Sequence, residues 1–300
     1  MTIISLKNSF FSLSLRSFGA KMTSFKFKQE GKETELLYLP PNPPNSPKLP
    51  NPGDVFDQNS AWGGDICLPT VAMCEVKLGN YLLKSNDHGD FWTTEFKIKK
   101  HSNNAATLVG QTREFGLEVD FSLQGASLIR SYTITNLTKF RLPFIFADHL
   151  LLPVGEVNLP HVKKMFVEWS YDNKLGKKGE IINYPLKREK PFADKLFSPL
   201  KKKYGYYCAG YKIYNRYNNY ILLTLSSKEL SFLGYWHTEG GWPASAKASA
   251  GKHDQYNLGL ELTNSNSDNL KESVKSGKVW WIKPGSNLTW SIELTVIWSS

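Results

Sequence analysis

The amino-acid sequence predicts an all-β fold, a large sandwich of packed antiparallel sheets, from two observations. Apolar and polar residues alternate along many short segments, and this period of two is typical of a strand that is buried on one face. Segments with the apolar spacing of an amphipathic helix are scarce, and residues 268–275 are the one candidate helix. The indicated strands are too many for one flat sheet, so we expect sheets packed face to face.

The candidate strands run through the whole chain. Gln124-Gly125-Ala126 separates two of them, 117–123 and 128–135, and this short connection predicts a hairpin. Strand character is the same throughout, so we expect a single domain over residues 1–300. In chain order, the candidate strands are residues 3–6, 11–15, 21–27, 35–39, 107–112, 117–123, 128–135, 206–214, 220–226, 278–282 and 290–298.

Two segments interrupt the alternation. Residues 40–52 are rich in proline, which predicts an extended loop without ladder hydrogen bonds. Residues 171–203 are rich in lysine and contain three prolines, Pro185, Pro191 and Pro199, which predicts a long excursion out of the sandwich. Much of the net charge of +10 falls in this second segment. Such charge favours anionic partners, but a well-solvated loop has the same composition, and we favour that interpretation.

The composition also limits which cellular compartment and which partners we expect. With 41% hydrophobic and 13% aromatic residues, the chain is not expected to be disordered. The three cysteines, Cys67, Cys74 and Cys208, lack metal-ligand spacing and are odd in number, which favours a reducing cytoplasm. Nothing approaches eighteen consecutive apolar residues, so we expect a cytoplasmic protein without a transmembrane helix or a membrane partner.

Two glycine-containing stretches are the candidate binding region. WGGD at 62–65 is followed by DHGDFW at 87–92, so glycines lie beside aromatic and acidic residues and a histidine. Glycine permits turns that hold polar side chains next to aromatic rings, which suits a flat molecule rich in hydroxyl groups. The alternative is two structural turns, with Trp62 and Trp92 in the core and His88 in a structural hydrogen bond.

The landmarks of the chain, read in order, resemble the aldose 1-epimerase (galactose mutarotase-like) family over nearly the whole length. They are FGAKMTSF at 18–25, ELL at 35–37, WGGD at 62–65 with Pro69-Thr70, DHGDFW at 87–92, YTITN at 132–136, FADHL at 146–150, LGLELT at 258–263 with Asp268, and KPG at 283–285. The resemblance implies a galactose mutarotase-like supersandwich and an enzyme that interconverts the α and β anomers of a free sugar.

The resemblance also implies roles for particular residues. Glu261 is the expected base and His149 the expected acid, because mutarotation moves one proton from the anomeric hydroxyl and another to the ring oxygen. His88 is expected to donate to the ring-side oxygens and Asp65 to bind a hydroxyl. A small-molecule carbohydrate is the expected partner, with no cofactor, no metal and a monomer or homodimer as the assembly. The candidates for stacking on the sugar are Trp62, Trp92, Trp236 and Trp242, and residues 236–243 are expected to form a Gly-rich loop at one wall of the site.

The chain departs from the family pattern at four places. Leu262 and Leu150 replace the prolines that usually follow the catalytic glutamate and the second histidine, residues 71–74 contain no arginine, and Ile66 replaces an acid. Two alternatives of the same fold therefore stay open: a non-catalytic carbohydrate-binding protein, and an epimerase whose sugar phosphate meets lysines of residues 171–203. Nucleic-acid binding by residues 171–203 is the least favoured alternative, because the segment contains no recognisable nucleic-acid-binding motif. We therefore expect no nucleic-acid partner.

Overall fold

The computed structural model describes residues 1–39, 49–59, 61–154, 158–160, 164–183, 190–214, 220–242 and 255–299. Two helices, α1 (Phe56–Asn59) and α2 (Leu270–Ser276), and a 3-10 turn at Phe91–Thr93 accompany the strands. The strands are β1 (Ile3–Lys7), β2 (Phe11–Arg16), β3 (Lys21–Gln29), β4 (Lys32–Glu35), β5 (Gly64–Cys67), β6 (Cys74–Leu78), β7 (Tyr81–Ser85), β8 (Lys97–His101), β9 (Ala105–Gln111), β10 (Phe115–Gln124), β11 (Ser127–Asn136), β12 (Leu142–Phe144), β13 (Ala147–Pro153), β14 (Asn158–Pro160), β15 (Lys164–Phe166), β16 (Trp169–Ser170), β17 (Ile181–Asn183), β18 (Phe192–Pro199), β19 (Tyr207–Tyr214), β20 (Tyr220–Ser227), β21 (Phe232–Glu239), β22 (Tyr256–Thr263), β23 (Trp280–Ile282) and β24 (Asn287–Trp298).

Two large antiparallel sheets form the body of the protein. The ten-stranded sheet has the order β1-β2-β3-β5-β13-β22-β21-β18-β16, and β4 pairs with β3 at its side. The eight-stranded sheet has the order β14-β19-β20-β24-β11-β10-β9-β8. Three small two-stranded sheets, β12-β23, β15-β17 and β6-β7, complete the described structure. The predicted all-β sandwich is confirmed.

The main hydrophobic core lies between the two large sheets. Along β10 and β11, buried residues alternate with more exposed ones, as the sequence pattern predicts. Aromatic rings join the sheets across the core: the Phe27 ring centroid is 5.1 Å from that of Trp298, and the Tyr132 centroid is 4.7 Å from that of Phe146. The predicted hairpin is present as β10 paired with β11, and the predicted helix as α2, capped by the side chain of Asn269.

The structure differs from the sequence-based expectation in the lysine-rich segment. Residues 192–199 form β18, which pairs with β21 inside the ten-stranded sheet and is almost entirely buried. The predicted excursion out of the sandwich is therefore wrong for these residues. Residues 184–189, and residues 40–48 of the predicted proline-rich loop, lie outside the described part of the chain. The predicted strand 35–39 is wrong for residues 36–39, because the strand observed here is β4, which ends at Glu35.

One buried ion pair crosses the sandwich core close to the candidate site. Arg130 on β11 donates a hydrogen bond to the Asp148 carboxylate on β13, and both side chains are almost inaccessible to solvent. Successive side chains of a strand point to opposite faces. Because Asp148 faces the eight-stranded sheet, its neighbour His149 faces the other side of the ten-stranded sheet.

We predict that Arg130→Met lowers the free energy of unfolding by about 3–5 kcal/mol, because it leaves Asp148 as an unpaired buried charge. The double variant Arg130→Met/Asp148→Leu removes both charges and should recover much of that loss. Urea denaturation of the three proteins measures both effects. Equal losses of unfolding free energy in the single and double variants would show that Arg130 does not act by neutralising the buried Asp148 charge.

Candidate active site

Four adjacent strands of the ten-stranded sheet present polar and aromatic side chains on the face away from the core. The strands are β13, β22, β21 and β18. Every second residue along these strands, such as Leu150, Leu260 and Leu196, belongs to the core between the sheets. Alternation along each strand then places the site residues together on the opposite face. These residues are His149, Glu261, Trp236 and Lys195.

Glu261 uses one carboxylate oxygen for an ion pair and leaves the other unpaired. Its Oε2 accepts a hydrogen bond of 2.8 Å from Lys195 Nζ, which also donates to Asp268 Oδ1 at 2.8 Å. Its Oε1 lies 3.6 Å from His149 Nε2 and has no hydrogen-bond partner among the described residues. A buried carboxylate oxygen without a partner carries a desolvation cost, which a hydrogen-bonding ligand would relieve.

Two glycines make room for the Glu261 side chain. A Cβ atom at Gly234 would lie 3.1 Å from Glu261 Oε2, and one at Gly259 would lie 3.2 Å from Oε1. Gly234 is also the cross-strand neighbour of Glu261 on β21, so the carboxylate reaches over this position towards Lys195 on β18. A larger side chain at either glycine would displace the carboxylate.

The electrostatics of the group follow from its burial. Burial raises the pKa of Glu261, which is fully inaccessible to solvent, while the Lys195 charge acts to lower it. For Lys195, burial lowers the pKa, but Asp268 and Glu261 together hold it above the ordinary lysine value. Lys195 is therefore a permanent cation at neutral pH.

The two histidines of the site carry opposite pKa shifts. Burial acts to lower the pKa of His88, but its Nδ1 lies 2.9 Å from Asp87 Oδ1, and this pair raises the pKa above the ordinary value. The pKa of His149 is well below the ordinary value because the side chain is buried and lies near the charges of His88 and Lys195. The site therefore favours the protonated form of His88 and the neutral form of His149.

A tight turn and an aromatic ring position His88. His88 has a φ of +55° and the following Gly89 a φ of +78°, and a Cβ at Gly89 would lie 2.0 Å from the Leu68 carbonyl oxygen. Only glycine fits there. The His88 ring stacks on Phe56 with centroids 3.9 Å apart and meets the His149 ring edge-on at 5.1 Å.

These residues line a cavity of about 180 Å³. In the described part of the chain, no group of three or more His, Cys, Asp and Glu residues is arranged to hold a metal ion. No described helix is both long and apolar enough to cross a membrane. The lining residues are Asp57, Ala61, Val71, Ala72, Asp87, His88, His149, Leu151, Tyr171, Lys195, Trp236, Trp242, Gln255, Glu261 and Asp268.

Solved structures share this architecture at low sequence identity. A galactose mutarotase related enzyme from Lactobacillus acidophilus matches with a TM-score of 0.69 at 13% identity, over 99% of this chain and 97% of that one. The chain has a galactose mutarotase-like fold. A galactose mutarotase-like protein from Lactobacillus casei matches with a TM-score of 0.68 at 14% identity, over 99% and 100% of the two chains. An aldose epimerase homologue from C. elegans matches with a TM-score of 0.67 at 13% identity, over 100% and 99%.

The fold implied by the sequence resemblance is thereby confirmed. No protein-family model and no curated protein matches the chain. At this level of identity, structural likeness establishes the fold and leaves the activity to be argued from the site itself.

The galactose mutarotase-like fold brings five of the predicted site residues together and places three others elsewhere. His149, Glu261, His88, Trp236 and Trp242 line the cavity. Outside the lining, the predicted residues have other partners. Asp65 is buried in an ion pair with Lys21, and the Lys21 Nζ atom also lies 4.5 Å from the centroid of the Trp62 ring. Trp92 is fully buried, and its Nε1 donates to the Asp87 carbonyl oxygen at 2.8 Å. Residues 236–239 of the predicted Gly-rich loop belong to β21.

Sequence reasoning missed two residues that complete the site. Lys195 was grouped with the solvated lysines, although it belongs to β18, a strand that is buried on both faces. Asp87 directly precedes His88 at a glycine turn, and this adjacency was a usable signal for an orienting carboxylate.

We predict that Asp87→Asn lowers the pKa of His88 below 6.5, because burial then acts without the carboxylate. In the wild type, a pKa raised above the unfolded value means that the pair stabilises the fold below about pH 6.5, and this contribution is lost as pH rises through the raised pKa. A histidine-resolved NMR titration, together with urea denaturation at several pH values, measures both effects. An unchanged His88 pKa in the variant would contradict the assignment.

Proposed function

We propose that this protein is an aldose 1-epimerase-like enzyme that interconverts the α and β anomers of a free, uncharged sugar. The observation that carries the proposal is the unpaired Oε1 of Glu261, which lies 3.6 Å from His149 Nε2 where both side chains line the cavity. Lys195 holds the other carboxylate oxygen, so the free oxygen has a fixed direction. A base of fixed position beside imidazole groups is what hemiacetal opening requires.

The reaction follows as two balanced proton transfers. The Glu261 carboxylate takes the proton of the anomeric hydroxyl, the bond between the anomeric carbon and the ring oxygen breaks, and an imidazole protonates the ring oxygen. The open-chain aldehyde turns about its bond from C1 to C2. On closing, the imidazole takes back the hydroxyl proton as the ring oxygen attacks, and Glu261 returns its proton to the new anomeric oxygen.

The pKa directions favour His88 as the proton donor. The Asp87 carboxylate favours the protonated form of His88, and Nε2 of His88 has no hydrogen-bond partner among the described residues. His149, for which the sequence resemblance implies the acid role, is neutral in the free site and is better suited to donating a hydrogen bond to the sugar. In this proposal the two histidines act as a pair, with the mobile proton on His88.

The charge of the lining favours a neutral sugar over a sugar phosphate. Four carboxylates line the cavity, from Asp57, Asp87, Glu261 and Asp268. Lys195, the one lysine among the described lining residues, is already paired with two of them. A phosphate dianion would meet net negative charge in this cavity.

We predict that Glu261→Gln and His88→Asn each reduce catalysed anomer exchange by about 10²–10⁴-fold, the range for loss of a positioned acid–base group. NMR exchange spectroscopy on a panel of aldoses measures the rate above the uncatalysed background. Glu75→Gln and His101→Asn, at exposed positions, are the matched controls and should behave as wild type. Saturable sugar binding without exchange in the wild type would instead favour the non-catalytic alternative.

We predict that Lys195→Met moves the acidic limb of the rate–pH profile to higher pH. The base acts when Glu261 is ionised, and its pKa rises further when the Lys195 charge no longer opposes burial. Lys195→Arg keeps the charge and should shift the limb less. A Lys195→Met enzyme that is slower at every pH, with an unshifted limb, would assign Lys195 a purely structural role.

A further inference from the structure

The mouth of the cavity carries an array of three aromatic rings. The Trp236 and Trp242 centroids lie 5.2 Å apart, with the rings nearly perpendicular at 84°. The Tyr171 ring meets Trp242 at 6.2 Å and 80°. All three residues line the cavity, and the array extends outward from the strand that carries Trp236.

Hydrogen bonds hold the array in place. Trp236 Nε1 donates to Asn257 Oδ1 at 3.0 Å, and Trp242 Nε1 donates to Asp57 Oδ2 at 2.8 Å. The Tyr171 backbone N–H donates to the Lys195 carbonyl oxygen at 2.8 Å, which ties this residue to the strand of the site. The indole N–H groups of both tryptophans are therefore already bonded, and the fixed orientation of these rings lowers the entropy cost of binding.

The array lies at the outer end of a gradient of exposure. Glu261 on the cavity floor is fully inaccessible, whereas Tyr171 is 56% exposed. The cavity volume of about 180 Å³ is below the range of about 300–1,000 Å³ that is typical of pockets for drug-sized ligands. The enclosed part therefore suits one small ring, and a longer ligand must continue over the exposed aromatic rings.

We propose that the Tyr171–Trp242 pair is a second sugar-binding subsite, so that the preferred substrate is the reducing end of a disaccharide or longer saccharide. The inference rests on the proposed function, which places the anomeric carbon at Glu261 on the cavity floor. The rest of the chain then points to the mouth, where the next ring packs its C–H face on Tyr171 and Trp242. Asp57, fixed by Trp242, and Gln255 are polar groups at the cavity wall for its hydroxyls.

The test compares saccharides that share a reducing end. Affinities for glucose, maltose, cellobiose and lactose are measured by isothermal titration calorimetry for the wild type, Tyr171→Ala and Tyr171→Phe, with anomer exchange followed by NMR. We expect at least one disaccharide to bind more tightly than glucose. Tyr171→Ala should weaken that disaccharide by about two- to tenfold and leave glucose unchanged, since an aromatic contact contributes about 0.5–1.5 kcal/mol. Tyr171→Phe should retain the affinity.

A matched control and the pattern of outcomes separate the two proposals. Tyr204→Ala removes an equally large side chain that is 90% exposed and lies outside the lining, and should change nothing. Tyr171-dependent disaccharide binding without anomer exchange would refute the epimerase and keep the subsite. Exchange with equal effects of Tyr171→Ala on glucose and disaccharides would refute the subsite and keep the epimerase. Binding of none of the four sugars would overturn the subsite.

Discussion

The interaction on which the site depends is the buried bridge from Lys195 to Glu261 and Asp268. An ionised carboxylate without a partner is costly to bury, and removing its partner is strongly destabilising. Lys195 offsets that cost at one oxygen of Glu261 and leaves the other without a described partner, facing His149. The same contact thus favours the charged carboxylate, fixes its orientation and leaves an acceptor oxygen for a ligand.

The alternation of side chains along a strand lets one sheet serve both stability and chemistry. In β13, Asp148 joins the ion pair with Arg130 that crosses the core, and the next residue, His149, faces the cavity. In β22, Leu260 and Leu262 belong to the core, and Glu261 between them faces Lys195. A slip of one residue in either strand would exchange the two faces, so the packing of the core also sets the register of the site.

The sequence predicted the fold class best where a strand has one polar face. The alternation in β10, β11 and β24 identified these strands because their outer faces are partly exposed. The strands that carry the site gave no such signal. In β13, β18, β21 and β22 both faces are almost wholly buried, so their polar residues stand within apolar runs and do not alternate with them regularly.

Some of the site residues could likewise be predicted from the sequence, and others could not. The order of short motifs along the chain identified His88, His149 and Glu261, and the structure brings these three into one cavity. Lys195 was hidden because a lysine near a lysine-rich segment resembles a solvated residue until its strand is known to be buried. Asp65 stands in a predicted motif, but its proximity to Lys21 depends on the pairing of β5 with β3, which composition alone cannot reveal.

The most direct test of the proposed chemistry is a crystal structure of the protein with a bound reducing sugar. We predict that the anomeric oxygen lies within hydrogen-bond distance of Glu261 Oε1, about 2.6–3.2 Å, with the ring oxygen towards the His88 and His149 imidazoles. A sugar whose anomeric carbon points out of the cavity, or whose hydroxyls leave Glu261 Oε1 without a partner, would contradict it.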